Sequence, residues 1–286
     1  MSVRTDYEAY LQKQREFTAS PLSHYWINQE QRYVEPFRIY GNVYYVGDSW
    51  VCAHLIDTGD GLLLIDGGNC GAEKLLIHAI WSLGFNPGDV RWMILSHGHL
   101  DHIGAVQFFR RMFGTRIYMG EPDAVMFRER PELSCIQDNP DVTMTLFEPD
   151  EVIREGDVLH FGNVTIDCKL VPGHTPGCVA LFFDVTEDGV TKRAGYFGGF
   201  GLNTLQTDYL RDIGDSDFQA RRDYIASLEK VRDERVELFL GNHTANNNLL
   251  EKAALLKEGK GPNPFLDDTC WRAYMDDRRA ACLALK

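Results

Sequence analysis

Five of the nine histidines in this 286-residue chain fall in three short segments. The first, His97-Gly98-His99-Leu100-Asp101-His102, packs three imidazoles and a carboxylate into six residues, with a small glycine between two of them. Neutral imidazole offers a lone pair and aspartate a hard oxygen, so this run has the donor chemistry of a transition-metal site. The second segment is Pro172-Gly173-His174-Thr175-Pro176-Gly177, and the third is Gly241-Asn242-His243-Thr244. Each places one histidine in a turn after an apolar stretch that reads as a strand, where side chains can converge at one edge of a sheet. Six donors exceed the four that close a structural zinc site. His24, His54, His78 and His160 lack such spacing and read as surface or hydrogen-bonded residues.

The elements that must carry these segments are legible in the apolar pattern. Leu62-Leu63-Leu64-Ile65 is continuously apolar before Asp66, as expected of a strand buried on both faces, and Gly59-Asp60-Gly61 marks the hairpin before it. A helix over 72–83 follows, with Leu76, Ala79, Ile80 and Leu83 on one side. Then come a strand over 91–95, the His97 segment, a helix over 105–113, a strand over 115–119 and a helix over 122–130. Residues 131–150 carry three prolines and little periodicity, and read as a long surface loop of the kind that serves function. Strands over 164–171, 179–185 and 191–197 follow, the last two joined by the turn Glu187-Asp188-Gly189. The stretch 198–215 reads as irregular. Ser216 is the expected cap of a helix reaching 232, with Phe218, Ile225 and Leu228 on one face. A short strand over 236–241, a helix over 247–257 and a helical tail from 264 complete the chain, which opens with a helix around 7–17. The order predicts two β/α halves around one core, sheets inside and helices outside, an α/β class.

Composition narrows the partners. Lys and Arg number 29 against 42 Asp and Glu, a formal charge of −13. That charge repels phosphate backbones and anionic lipid, so a small molecule is the expected ligand, with no nucleic acid and no membrane. No apolar run is long enough to span a bilayer. The opening residues carry no apolar signal core, which points to the cytoplasm; a periplasmic or secreted location is the alternative for a trimmed chain. Seven cysteines, an odd number with no C-x-x-C pair, favour unpaired thiols in a reducing compartment. Cys270 and Cys282 are the pair an oxidising setting would allow. Oligomeric state is not fixed by the sequence.

The H-x-H-x-D-H run after a buried strand, the upstream LLLIDGG, the P-G-H-T-P-G turn and the late His243 together resemble the metallo-β-lactamase superfamily, from about Phe37 to His243. The resemblance implies a four-layer αββα sandwich formed by a single domain, 1–286, with 1–35 as an N-terminal extension and 264–286 as a C-terminal helix. It implies a dinuclear site in which His97, His99 and His174 hold one metal and Asp101, His102 and His243 the other. Two Zn²⁺ per chain are implied, with iron or manganese as alternatives. Asp66 matches a carboxylate that orients ligands without binding metal; capping the backbone at a strand end is the other reading. In Phe197-Gly198-Gly199-Phe200, Phe200 stands where many hydrolases of the superfamily carry a bridging aspartate. The β-lactamases lack that aspartate, and those of subclass B3 use the ligand set found here. The implied activity is attack on a β-lactam carbonyl by a metal-bridging hydroxide that Asp101 orients, with antibiotic resistance as the associated role. A lactonase or thioesterase of cytosolic metabolism is the second reading. An iron-dependent oxidoreductase and a non-catalytic binding module are the remaining ones. Phe200, Asn203, Thr204 and Tyr209 are candidate substrate contacts, with loop packing as their alternative.

Overall fold

The run Leu62-Leu63-Leu64-Ile65 shows how the layers are built. Leu63 and Ile65 face a core shared by two sheets, while Leu62 and Leu64 face a core shared with helices. Successive side chains of a strand point to opposite faces, so an unbroken apolar run is what burial on both sides requires. This computed structural model describes residues 2–19, 29–139 and 144–286. The run lies mid-way in a seven-stranded sheet whose spatial order follows the chain: β1 (Phe37–Tyr40), β2 (Val43–Tyr45), β3 (His54–Asp57), β4 (Leu62–Ile65), β5 (Val90–Ile94), β6 (Arg116–Gly120) and β7 (Glu151–Ile153). Pairing is antiparallel as far as β4 and parallel from there to β7. The second sheet holds β8 (Val158–Phe161), β9 (Val164–Leu170), β10 (Val179–Glu187), β11 (Val190–Phe197) and β12 (Leu238–Leu240), in the order β12-β11-β10-β9-β8.

Helix α1 (Val3–Ala19) is solvent-exposed along most of its length. Helices α2 (Glu73–Ser82), α3 (Val106–Phe113) and α4 (Glu121–Glu129) bury Leu76, Ile80, Phe109 and Met126 against the outer face of the first sheet. After α5 (Thr207–Asp212), helix α6 (Gln219–Val231) presents Tyr224 and Leu228 to the outer face of the second sheet. Helix α7 (Leu249–Glu258) places Leu249 in the central core, and α8 (Cys270–Leu283) adds Trp271 and Met275 to the outer one. The layers therefore run helix, sheet, sheet, helix. Each fully buried leucine or phenylalanine contributes roughly 1.5–3 kcal/mol. An exposed ion pair such as Lys257–Glu35 contributes far less, so the cores hold the sandwich.

The C-terminal ends of β4, β5, β9 and β12 meet at one edge, where backbone bonds stitch the sheets together. The Ser96 carbonyl accepts from Val179 N at 2.9 Å, and the Asn242 carbonyl from Cys52 N at 2.9 Å. A Cβ at Gly198 would lie 2.4 Å from the Ser96 oxygen, so only glycine permits this approach.

Several expectations need correction. The 198–215 stretch is not wholly irregular, since it contains a 3₁₀ turn over Asn203–Leu205 and α5. Helix α6 starts at Gln219, after Phe218, and the side chain that serves its first amides is Asp215 instead of Ser216: Oδ1 accepts from Gln219 N at 2.8 Å and Oδ2 from Ala220 N at 2.9 Å. The 131–150 loop is partly structured and partly buried, with 3₁₀ turns over Pro131–Ser134 and Ile136–Asp138 and with Phe147 in the outer core. Strand β7 is three residues long, too short to show alternation. The tail turns helical only at Cys270, after Leu266 bridges to Leu238. Cys270 and Cys282 are not joined. His24 and residues 140–143 lie outside the described residues. Among the described residues, no helix is long and apolar enough to cross a membrane.

Candidate metal centre

The three histidine segments converge at the stitched edge. His97, His99 and His174 each bring a ligand atom within 4.8 Å of the others, as do His97, Asp101 and His102. The His97 ring centroid lies 4.8 Å from those of His99 and His174 and 4.2 Å from that of His102. Oδ2 of Asp101 stands 3.6 Å from Nε2 of His102 and 3.6 Å from Nε2 of His243. Five side chains thus form two donor groups that share His97, and His243, from a third segment, stands beside Asp101.

Their electrostatics fit a divalent cation. Burial, reinforced by neighbouring imidazoles, holds His97 well below its ordinary value, and burial holds His174 well below it too. Burial also brings His99 down to about 4 and lowers His243. These rings are neutral and keep their lone pairs. Burial pushes the Asp101 carboxyl up, but its histidine neighbours, His102 first, outweigh that and hold it below the ordinary carboxylate value. Burial pushes His102 down, and Asp101 and Asp66 outweigh that in turn. Nε2 of His99 and Nε2 of His102 are buried without a hydrogen-bond partner. A buried polar atom left unpaired costs about 1–3 kcal/mol. A cation seated among these donors would remove that cost.

Buried partners hold the rings in place. Asp66, at the end of β4 with φ 65°, accepts from Ser96 N (2.7 Å), Ser96 Oγ (2.8 Å), His102 Nδ1 (2.8 Å) and the Tyr196 hydroxyl (2.5 Å). It therefore both caps a backbone and orients a ring. Ser96 Oγ, having donated to Asp66, accepts from His97 Nδ1 at 2.9 Å. His174 Nδ1 lies 2.8 Å from the Gly201 carbonyl. His243 Nδ1 lies 3.2 Å from the Trp50 carbonyl. The turn that offers this carbonyl is organised by Asp48, which accepts from Trp50 N and Val51 N at 2.7 Å each. With Nδ1 engaged, Nε2 of each of these four rings is the nitrogen left for a ligand. A third buried carboxylate, Asp123, bonds to Gly98 within the His97 segment and to Thr175 and Gly177 in the His174 segment, and burial brings it up to about 6 against the pull of Thr175, Gly177 and Gly98. Sequence reasoning missed Asp48, Ser96, Asp123 and Tyr196. Their one signal, proximity to a histidine or a turn, is too common to single them out.

A cleft of about 690 Å³ opens over the centre, with Trp50, Asn203, Tyr274 and Arg278 in its walls. The candidate substrate contacts separate here. Asn203 is exposed on the cleft. Phe200 is 2% exposed and forms the floor, its ring stacked on Phe197 at 4.5 Å and edge-on to Tyr274 at 4.6 Å. Thr204 is buried and faces His174 instead of the cleft, with Oγ1 3.0 Å from Nδ1. Tyr209 lines a separate recess behind His174. Among the described residues the other histidines stand apart: His54 bonds to the Gly241 carbonyl at 2.9 Å, and His160 to Thr165 at 3.0 Å.

Residues 51–243 match the family model described as metallo-beta-lactamase superfamily. The chain is 30% identical over 223 residues to the hydroxyacylglutathione hydrolase GloC of Haemophilus influenzae, spanning 76% of this chain and 92% of that protein. The structure superposes on the native FEZ-1 metallo-beta-lactamase from Legionella gormanii with a TM-score of 0.78 at 25% identity, covering 88% of this chain and 95% of that one. On BJP-1, a subclass B3 metallo-beta-lactamase of Bradyrhizobium japonicum, the TM-score is 0.76 at 24% identity, covering 90% and 98%.

Proposed function

We propose that this chain, which belongs to the metallo-beta-lactamase superfamily and is a metal-dependent hydrolase of it, holds two zinc ions and hydrolyses the C–N bond of a β-lactam-like cyclic amide to a carboxylate and an amine. The observation that carries this reading is the convergence of His97, His99, His174, Asp101 and His102 into two donor groups that share His97, with His243 3.6 Å from Asp101 and buried nitrogens left unpaired. The floor position of Phe200 supports the β-lactamase-like ligand set over sets with a bridging aspartate, because a stacked phenyl ring offers no donor.

His97, His99 and His174 would hold one cation, and Asp101, His102 and His243 the other. Bound there, such a cation lowers the pKa of water to about 7 and polarises a carbonyl oxygen. The chain's own groups supply the rest. Asp66 and Ser96 fix the protons of His102 and His97 on Nδ1, so that both rings keep one tautomer. Asp101, held ionised, is placed to accept a hydrogen bond from the attacking water and aim it. Trp50, Phe200 and Tyr274 give the cleft apolar surfaces that thin the solvent around the reacting bond. Arg278 is the one Lys or Arg in the cleft wall among the described residues, and its planar fork suits a substrate carboxylate. Cys135 also lines the cleft, but burial brings its thiol up to about 11, so it is no nucleophile at neutral pH.

A thioester substrate is the second reading. It is favoured by the 30% identity to a hydroxyacylglutathione hydrolase that the chain spans almost completely. Zinc-loaded protein assayed on a chromogenic cephalosporin beside lactone and thioester panels separates the two. Cephalosporin turnover that is lost in His99→Ala is the expected result, and a role in β-lactam resistance follows only from that outcome. Turnover of thioesters alone would support the second reading. Hydrolysis surviving in His99→Ala after thorough chelation would overturn both.

A further inference from the structure

We propose that Asp123 is a positioning residue that locks the His97–His99 turn to the His174 turn and so sets the geometry of the three-histidine group. The proposal rests on reading that group as a metal centre.

Asp123 lies in the first turn of α4, fully buried. Its Oδ2 accepts from Gly98 N at 2.7 Å and from Thr175 Oγ1 at 2.8 Å, and its Oδ1 accepts from Gly177 N at 2.6 Å. Gly98 sits between His97 and His99, and Thr175 follows His174. One carboxylate therefore joins the two backbone segments that carry all three rings, although 75 residues separate His99 from His174 (174 − 99). An acidic residue in a first helical turn is ordinary, because it suits the helix dipole. That preference does not account for a carboxylate spending its bonds on two other segments.

The surrounding backbone leaves no slack. A Cβ at Gly177 would lie 2.3 Å from Asp123 N, one at Gly120 would lie 2.0 Å from the Gly177 carbonyl oxygen, and one at Gly98 would lie 2.7 Å from the Phe127 ring. The start of α4 and both turns are in direct contact, so a change at the carboxylate is transmitted to the rings. Aspartate supplies acceptor oxygens for all three donors. Asparagine has one acceptor oxygen and turns an N–H₂ toward an N–H or O–H that needs an acceptor.

The test is cobalt titration of metal-freed protein, following the visible ligand-field bands and competing with a chelator of known affinity. Asp123→Asn is expected to bind cobalt ~10–100-fold more weakly, with altered bands and unchanged far-UV circular dichroism. Thr175→Val removes one of the three bonds and is expected to show a smaller loss, which Thr175→Ser restores. This pair decides the matter should Asp123→Asn fail to fold. Wild-type affinity and bands in folded Asp123→Asn, or in Thr175→Val when it is the deciding variant, would overturn the proposal and leave Asp123 a packing residue. A wild-type chain that binds no cobalt would overturn the metal reading itself, and the proposal with it.

Discussion

Nδ1 of His102 lies 2.8 Å from Oδ2 of Asp66, and neither side chain reaches solvent. The pair fixes which nitrogen of His102 carries the proton, and the same oxygen also receives Ser96 Oγ and the Tyr196 hydroxyl. Asp66→Asn confronts those donors with an amide. Zinc affinity is expected to fall ~10–100-fold, and hydrolysis with it. Isothermal titration of the metal-freed variant checks this, and unchanged affinity would show that the contact does not tune the site.

Metal removal should act on stability as well as activity. Without a cation, the unpaired Nε2 atoms of His99 and His102 remain buried. A ligand present at a hundredfold excess over its dissociation constant stabilises the native state by about 2.7 kcal/mol. For a chain of this size that corresponds to a melting shift of several degrees. Chelation is expected to lower Tm by that amount and zinc to restore it. A melting curve indifferent to both would argue that no cation is held in the folded protein.

His54 gives a pH dependence separable from the ligand histidines. Burial brings its imidazole down from 6.5 to about 4, against opposing contributions from the Gly241 carbonyl and Asp66. The ring is neutral in the folded chain, while the unfolded chain takes up a proton near 6.5. The stability it contributes is therefore complete above pH 6.5 and is lost as pH falls toward 4. Between pH 7.5 and 5 the loss amounts to roughly 2 kcal/mol. His54→Gln keeps an amide donor for Gly241 and cannot titrate. Its denaturation free energy should decline less over that interval by about this amount, and equal declines would count against a neutral buried His54.

Arg278 lies over the Tyr274 ring at 5.4 Å and bonds to Asp277. Arg278→Met keeps much of the stem and removes the charge. KM for a substrate bearing a carboxylate is expected to rise about tenfold or more, with little change in kcat and none for a neutral ester. Such a shift is about 1.4 kcal/mol of binding, within the range of a charge-assisted hydrogen bond. Equal effects on charged and neutral substrates would remove Arg278 from recognition.

Much of this arrangement was legible in the sequence where chemistry or period is dense. The His97–His102 run, the continuous apolar Leu62–Ile65 stretch and the face of Leu76, Ala79 and Ile80 all correspond to what folds, because donor spacing and side-chain period are local properties. The parts that were not legible depend on distant partners. Asp48, Asp66 and Asp123 are alike as letters, and only the fold reveals which backbone donors each one serves. Thr204, a candidate cleft contact with loop packing as its alternative, takes the packing role and braces His174, since a loop residue's direction is set by the turn that carries it. Asp215 serves the helix start assigned to Ser216, because the turn before the helix brings its carboxylate to Gln219 N and Ala220 N.

The central claim is that two cations sit between these three segments. Anomalous diffraction from crystals of zinc-loaded protein, collected on both sides of the zinc edge, tests it most directly. Two peaks are expected, one among His97, His99 and His174 and one among Asp101, His102 and His243. Crystals that hold zinc elsewhere, or nowhere, with those six side chains turned apart, would contradict the account.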